Sequence, residues 1–322
     1  MRMEKILVLP RLAQRRVLRV IVAAMVLLQV TLLVAAVWHL SVAGWSLPLA
    51  LAAMLLVGLL LQISIAANTF VIKWLMGDWP VARRGSIVRW LPVAAVEVFW
   101  MLRLFLFDQP WCRAPRWIFA TDRRTPVLLV HGFVCNGAVW RPLSKHLLDA
   151  KRSHVAISLE PTYRHFERQL EVLDGAVQAL CAHTGQQRVV LLGHSMGGLL
   201  ARAYAERFPQ RCAALISVGV PHHGTALGDL IHGLEYGPPS PRCQWLQALN
   251  QRSGERIEVP ALNIWSADDN IVIPAQSAHL HATTERTLHG YGHMALIAQR
   301  EACLALMAAL DELDPLVESD ER

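Results

Sequence analysis

Apolar and polar positions follow two different patterns along this chain, and the change falls near Pro115. Before it, no Asp, Glu, Lys or Arg interrupts the 53 residues between Arg19 and Lys73. A run of that length exceeds one membrane span of about 20 residues and suits two spans with a short turn. The pattern predicts a hairpin with spans over residues 20–40 and 47–70, a turn at 41–46, Ser46 as N-cap and Pro48 in the first helical turn. Trp38 and Trp45 at one end and Trp74 and Trp79 at the other suit membrane–water interfaces. Residues 86–107 are apolar but broken by Arg89, Pro92, Glu97 and Arg103. That pattern fits a helix lying in the interface, or a helix packed on the following domain, better than a third span.

From about Pro115 short apolar runs alternate with helical periodicity. Strands are predicted at 127–130, 155–159, 189–192, 213–218, 261–265 and about 286–288. Helices are predicted at 167–181, from about Met196 to Phe208 before Pro209, and at 295–310. Continuous apolar strands alternating with helices imply a mostly parallel sheet covered on both faces. The stretch 225–260 carries six Gly and Pro residues between 228 and 241 and no clear strand, so it reads as a lid or a surface loop. The domains expected are therefore 1–75 (basic flank and two spans), 76–117 (membrane-proximal linker), 118–310 (α/β domain) and 311–322 (an acidic, solvated tail).

Charge sharpens this division. The chain is 54% apolar and 17% charged with a net charge of +6. Residues 1–120 carry a net +9 and residues 121–322 a net −3. The positive charge flanks the apolar stretches, which removes nucleic acid as an attractive partner and points to the bilayer. Lys and Arg sit before the first span and after the second, and none lies in the turn, so positive-inside bias places both ends, and the α/β domain, in the cytoplasm. A cleaved signal peptide ending at Ser41-Val42-Ala43 is the competing reading, disfavoured by the length of the first run and the second run that follows. The six cysteines form no C-x-x-C pair, which suits reduced thiols rather than a disulfide framework or zinc site.

The chemistry centres on Gly193-His194-Ser195-Met196-Gly197, a G-x-S-x-G element between a predicted strand and a predicted helix. That turn exposes a serine hydroxyl as nucleophile, and the N–H of the next residue, Met196, faces a developing oxyanion. A second donor is expected from the loop after an earlier strand, where His131-Gly132-Phe133 lies; Phe133 N–H is the candidate. Acid and base are expected downstream, in the order serine, acid, histidine. Gly290-Tyr291-Gly292-His293 precedes the last helix and offers His293, with His289 the runner-up; the loop after 261–265 offers Asp269, with Asp268 the alternative. His131, His194, His222 and His223 are further substrate-site candidates. Adjacent His222 and His223 point different ways on an extended loop, and no H-E-x-x-H is present, so they read as a site wall rather than metal ligands.

Over about residues 118–310 these elements resemble the serine lipases and esterases of the α/β-hydrolase superfamily. The matching pieces are Val130-His131-Gly132-Phe133, the Ser195 element, Val220-Pro221-His222-His223-Gly224-Thr225, the Asp269 loop and the His293 loop. The Pro-His-x-Gly-Thr piece and Trp245-Leu246-Gln247-Ala248-Leu249-Asn250 are similar to the bacterial triacylglycerol-lipase branch. The resemblance implies an α/β-hydrolase fold, here behind a two-helix transmembrane hairpin, and a Ser195–His293–Asp269 triad needing no cofactor or metal. The disulfide and calcium site of many secreted relatives have no counterpart here. The expected activity is hydrolysis of esters of apolar acyl chains at a membrane. An acyltransferase with the same triad, or an inactive membrane-tethered binding module, are the alternatives.

Overall fold

A computed structural model describes the chain except residues 1–26, 29–30, 33, 37, 40–41, 79–89, 160–165, 231–238, 254–256, 282 and 321–322. It divides into two units, Met1–Gly77 and Asp78–Arg322.

In the first unit, helix α1 (Leu47–Leu75) starts as the sequence predicts, with Ser46 at the N-cap and Pro48 in the first turn, although the Ser46 side chain makes no capping bond. Its stretch Pro48–Leu75 is long and apolar enough to cross a membrane, and only 6% of its most apolar 18-residue window is buried. Leu49, Leu51, Leu55 and Leu60 all stand exposed. Ala66, Phe70, Ile72 and Lys73, nearer the C-terminal end of the helix, are buried; the exposed apolar surface of its first half is of the kind that suits hydrocarbon. Helix α1 is the single one long and apolar enough to cross a membrane among the described residues. The other expected span, 20–40, falls largely outside the described residues, and those that are described there are helical.

The second unit is an α/β domain. Helix α2 (Leu91–Arg103) runs into a π-helical turn, Leu104–Asp108. There follow β1 (Arg116–Trp117), β2 (Val127–Val130), α3 (Arg141–Asp149), β3 (His154–Ala156), α4 (Phe166–Thr184), β4 (Val189–His194), α5 (Met196–Arg207), β5 (Cys212–Val218), a short α6 (Ala226–Leu230), α7 (Gln244–Ser253), β6 (Ala261–Ser266), β7 (Thr284–Leu288), α8 (Ala295–Ala298) and α9 (Arg300–Asp320). The sheet order is β1-β3-β2-β4-β5-β6-β7. Only the edge strand β1 runs antiparallel to its neighbour.

Period-two alternation explains the two cores. Val127, Leu129, Val190 and Leu192 face a layer built with Val139, Leu143, Leu306 and Leu310. Leu128, Val130, Val189 and Leu191 face the other layer, with Leu173, Val177, Leu199 and Leu200. Strands β2, β4 and β5 are buried on both sides, so they read as unbroken apolar runs. All six cysteines are free, and burial pushes the thiols of Cys135, Cys212 and Cys303 up to about 12, which makes them packing groups rather than nucleophiles.

Three expectations change. Helix α2 buries Val93 and Glu97, and Trp100 packs on the first core, while Leu91 and Phe99 stay exposed; one face belongs to the domain and the other is open. Stretch 225–260 is not wholly a lid, because Leu246 and Leu249 of α7 are buried in the second core; residues 231–238, its Gly/Pro-rich centre, lie outside the described residues. The acidic end is not a free tail. Apolar spacing continues through Leu306, Leu310 and Leu313, so α9 runs to Asp320, and Asp314 pairs with the fully buried Arg152. Arg152 also donates to Thr125 O at 2.9 Å. Removing one partner of a buried pair leaves an uncompensated charge, so Asp314→Ala is expected to destabilise the domain by about 3 kcal/mol, read by chemical denaturation. A change under about 0.5 kcal/mol shows that α9 is not anchored there.

Candidate active site

Strand β4 ends at His194 and helix α5 begins at Met196, so Ser195 alone makes the turn, with φ 55° and ψ −129°. A non-glycine residue in the left-handed region is strained and holds its side chain away from both elements. The backbone N–H of Ser195 donates to Val218 O on β5 at 3.0 Å. Neighbouring glycines make this turn possible by close approach. A Cβ on Gly197 would lie 2.3 Å from His131 O, and one on Gly132 would lie 2.8 Å from Ser195 Cβ and 3.3 Å from its Oγ. The loop after β2 is thereby laid directly against the serine. Two residues beyond Gly132, Val134 has φ 54°. For a β-branched residue that is a strained conformation in the loop carrying Phe133. As the first residue of a helix, Met196 has an N–H without an intrahelical acceptor.

Beyond β6 and β7 two loops meet. His293 Nδ1 is 2.8 Å from Asp269 Oδ2, both side chains being buried. The other Asp269 oxygen accepts from Ile271 N at 2.8 Å and Val272 N at 2.9 Å, which fixes the carboxylate. Three consecutive side chains hold the histidine loop: Asp268 accepts from Gly290 N at 2.6 Å, Asp269 takes the ring, and Asn270 accepts from His293 N at 2.9 Å. Asp269, the acid the sequence favours, is the one on the imidazole, and the alternative Asp268 braces the loop. The runner-up His289 is exposed. Ser195 joins this pair through β5: its N–H bonds residue 218, and a Cβ on Gly219 would lie 3.2 Å from Asp269 Oδ2 and 3.5 Å from His293 Nδ1. No hydrogen bond links Ser195 Oγ to His293 among the described residues; such links are often loose before substrate binds.

Burial alone would push the His293 pKa down, but the charge and hydrogen bond of Asp269, with the charge of Glu97, outweigh it, and the net shift is upward. Glu97 is the residue that sequence reasoning missed. Its buried carboxylate accepts from Met294 N at 2.9 and 3.1 Å and from Ala295 N at 2.9 Å. A Cβ on Gly292 would lie 2.5 Å from Glu97 Oε2. The signal available in the sequence was a lone carboxylate inside a Trp- and Phe-rich helix, which is tolerable in a core only with dedicated donors. Asn270 was missed too.

Of the four histidine candidates, the rings of His131 and His194 are tied into the scaffold. His131 Nε2 accepts from Leu159 N at 2.8 Å, so its proton lies on Nδ1, 2.8 Å from Gly132 O. Both nitrogens are used internally and none is left for substrate; burial, resisted by the Gly132 bond, pulls its pKa down to about 4. His194 donates Nε2–H to His293 O at 3.1 Å and lies 4.4 Å from the His293 ring, centroid to centroid. It faces the histidine rather than the serine hydroxyl, and burial lowers its pKa well below the ordinary value. His222 is buried, with its carbonyl held by Asn250 Nδ2 at 2.9 Å, while His223 is exposed and donates its N–H to Ser277 O at 3.0 Å. The pair diverges, and no group of three or more His, Cys, Asp or Glu among the described residues could hold a metal ion.

Residues 125–232 match the family model of the alpha/beta hydrolase fold. The domain has the α/β-hydrolase fold. The mature lipase BlEst2 of Bacillus licheniformis superposes on 61% of this chain and 96% of its own with a TM-score of 0.53 at 15% identity. The hydrolase domain is similar in sequence to a triacylglycerol lipase of Vibrio cholerae, 32% identical over 118 residues (35% of this chain, 38% of that one). A triacylglycerol lipase of Pseudomonas fragi is 31% identical over 114 residues (34% and 39%). The chain thus matches less than two-fifths of the length of these curated lipases. The α/β-hydrolase match begins after helix α2, so Glu97 lies outside it.

Proposed function

We propose that this protein is a membrane-anchored serine hydrolase cleaving carboxylic esters of apolar acyl chains. The observation that carries the reading is the buried His293–Asp269 pair at 2.8 Å, set against a serine on a strained strand-to-helix turn. In this mechanism Ser195 Oγ attacks the ester carbonyl and His293 Nε2 takes its proton, while Asp269 holds the tautomer and stabilises the imidazolium. The N–H groups of Met196 and Phe133 receive the oxyanion. Collapse expels the alcohol, which takes the proton from His293, and leaves an acyl-Ser195. Water, deprotonated by His293, then releases the acid and restores the serine. The lipase names of the relatives and the bare apolar surface of α1 together favour lipid-like esters. The proposed anchor is a two-span hairpin, 20–40 and 47–70, with the hydrolase domain on the cytoplasmic side by the charge bias of its flanks; protease treatment of intact cells is expected to leave that domain uncut.

A fluorophosphonate probe is expected to label the full-length protein and not Ser195→Ala, and only the former is expected to release free acid from p-nitrophenyl esters. Equal labelling of both would remove Ser195 as nucleophile. Acyl transfer to an added alcohol without acid release would turn the reading into an acyltransferase.

A further inference from the structure

We propose that Glu97 is a positioning residue for the reaction: its carboxylate, reaching in from helix α2, fixes the loop that carries His293 and adds a second negative charge behind the imidazole. This deepens the serine-hydrolase reading and rests on it. The geometry is specific. Both oxygens bond the backbone N–H groups of residues 294 and 295, directly after the histidine, and the absent side chain of Gly292 leaves the room they occupy. The charged groups facing Glu97 are His293 and Asp269; His194, against the His293 ring, is held neutral by burial. Two carboxylates therefore flank one imidazole. Burial raises the Glu97 carboxyl to about 7, against the pull of its two backbone donors and of His293, so its charge changes in the range where His293 must be neutral to act as base. Below that range a protonated Glu97 has one acceptor fewer for Met294 and Ala295, and the loop loses a restraint as the base itself becomes charged.

The test is the rate of fluorophosphonate labelling of full-length protein against pH, which reports nucleophile activation without knowledge of the natural ester. Glu97→Gln keeps size and one acceptor. Its acid limb is expected to move to lower pH by roughly one unit, because the charge that favours imidazolium is gone. On a p-nitrophenyl ester its kcat is expected to fall roughly ten- to hundredfold with KM little changed, and Glu97→Asp to keep the wild-type limb. A Glu97→Gln limb that superimposes on wild type, in a protein that still labels at Ser195, overturns the role of Glu97. Loss of the distinction between wild type and Ser195→Ala instead overturns the hydrolase reading beneath it.

A different observation carries a second inference. Arg103, Arg113, Arg116, Arg141 and Lys145 line one cavity of about 530 Å³. Asp108, a single carboxylate, serves two of them, at 3.4 Å from Arg103 and 3.3 Å from Arg141. Arg113 and Lys145 have no ion pair among the described residues, and Arg116 meets the His183 ring at 3.2 Å. Along the same segment Phe107, Trp111 and Trp117 are exposed, Trp111 by 82%. Cations gathered in a hollow beside exposed aromatic rings match the headgroup level of an anionic bilayer. We infer that this cavity takes the phosphate of an anionic phospholipid headgroup. Full-length protein in detergent is expected to retain dioctanoyl phosphatidylglycerol over dioctanoyl phosphatidylcholine in native mass spectrometry. The triple variant Arg113→Ala, Arg116→Ala, Lys145→Ala is expected to lose that preference while keeping fluorophosphonate labelling. An unchanged preference in the triple variant overturns the site. Displacement of the lipid by millimolar inorganic phosphate overturns the lipid and leaves a phosphate site.

Discussion

Asp269→Asn is expected to lower kcat/KM on a p-nitrophenyl ester by about 10⁴-fold, with the folded domain intact. The amide keeps the size of the carboxylate and one acceptor for Ile271 and Val272, so the loop stays in place. What changes is the bond to His293 Nδ1, because an amide can present its NH₂ there and force the proton onto Nε2, where the serine proton must arrive. The charge that raises the His293 pKa also disappears, so the imidazolium formed in each half-reaction loses its partner. Asp268→Asn is the control. Its carboxylate touches Gly290 N rather than the ring, and its replacement is expected to cost no more than roughly tenfold, through a looser loop. Equal losses in the two variants, or a larger loss at Asp268, would reverse the assignment of the acid.

The ease with which the site could be read differs from residue to residue, for physical reasons. Ser195 and the elements around it were legible because a strand-to-helix turn of this sharpness needs glycine at fixed offsets, and offsets survive in a linear sequence. The parallel sheet was legible because β2, β4 and β5 are buried on both faces and so carry no polar alternation to confuse the pattern. Strand β3 spans His154–Ala156 rather than the expected 155–159, because Ile157 and Leu159 remain buried after the ladder ends and prolong the apolar pattern. The sequence favours Asp269 over Asp268 only by its place in the loop; both carboxylates face the histidine loop and differ in which atom they meet, Asp269 the ring and Asp268 the Gly290 N–H. Glu97 lay further out of reach. It stands 196 positions before His293, on a helix whose other apolar residues suit a membrane surface as well as a core. Nothing local to Glu97 records the two N–H groups waiting for it. The acidic end misled for the opposite reason: its charges are local and visible, whereas the buried Arg152 that receives Asp314 is 162 positions away.

Gly132→Ala is expected to cost roughly 10²-fold or more in kcat/KM and in the rate of fluorophosphonate labelling, while the melting temperature moves little. Gly132 has no positive φ to protect, so backbone conformation alone would tolerate alanine. Space would not. The new methyl carbon would stand 2.8 Å from Ser195 Cβ and 3.3 Å from both Ser195 Oγ and His194 O. Ser195 is pinned on the other side by its bond to Val218 and by the left-handed turn, so it has little freedom to retreat. The loop of residues 131–134 is the softer partner, though His131 ties its first residue to Leu159. Relief of the contact therefore moves Gly132 and Phe133 away from the serine. That displacement carries the Phe133 N–H off the position of the oxyanion and leaves Met196 as the lone donor, a loss of the size seen when one such donor is removed. The fold is spared because the displaced segment is a loop beyond the end of β2, outside the ladder that joins β2 to β3 and β4. Labelling and hydrolysis within threefold of wild type would show that the loop yields without moving its N–H, and would take Phe133 out of the oxyanion site.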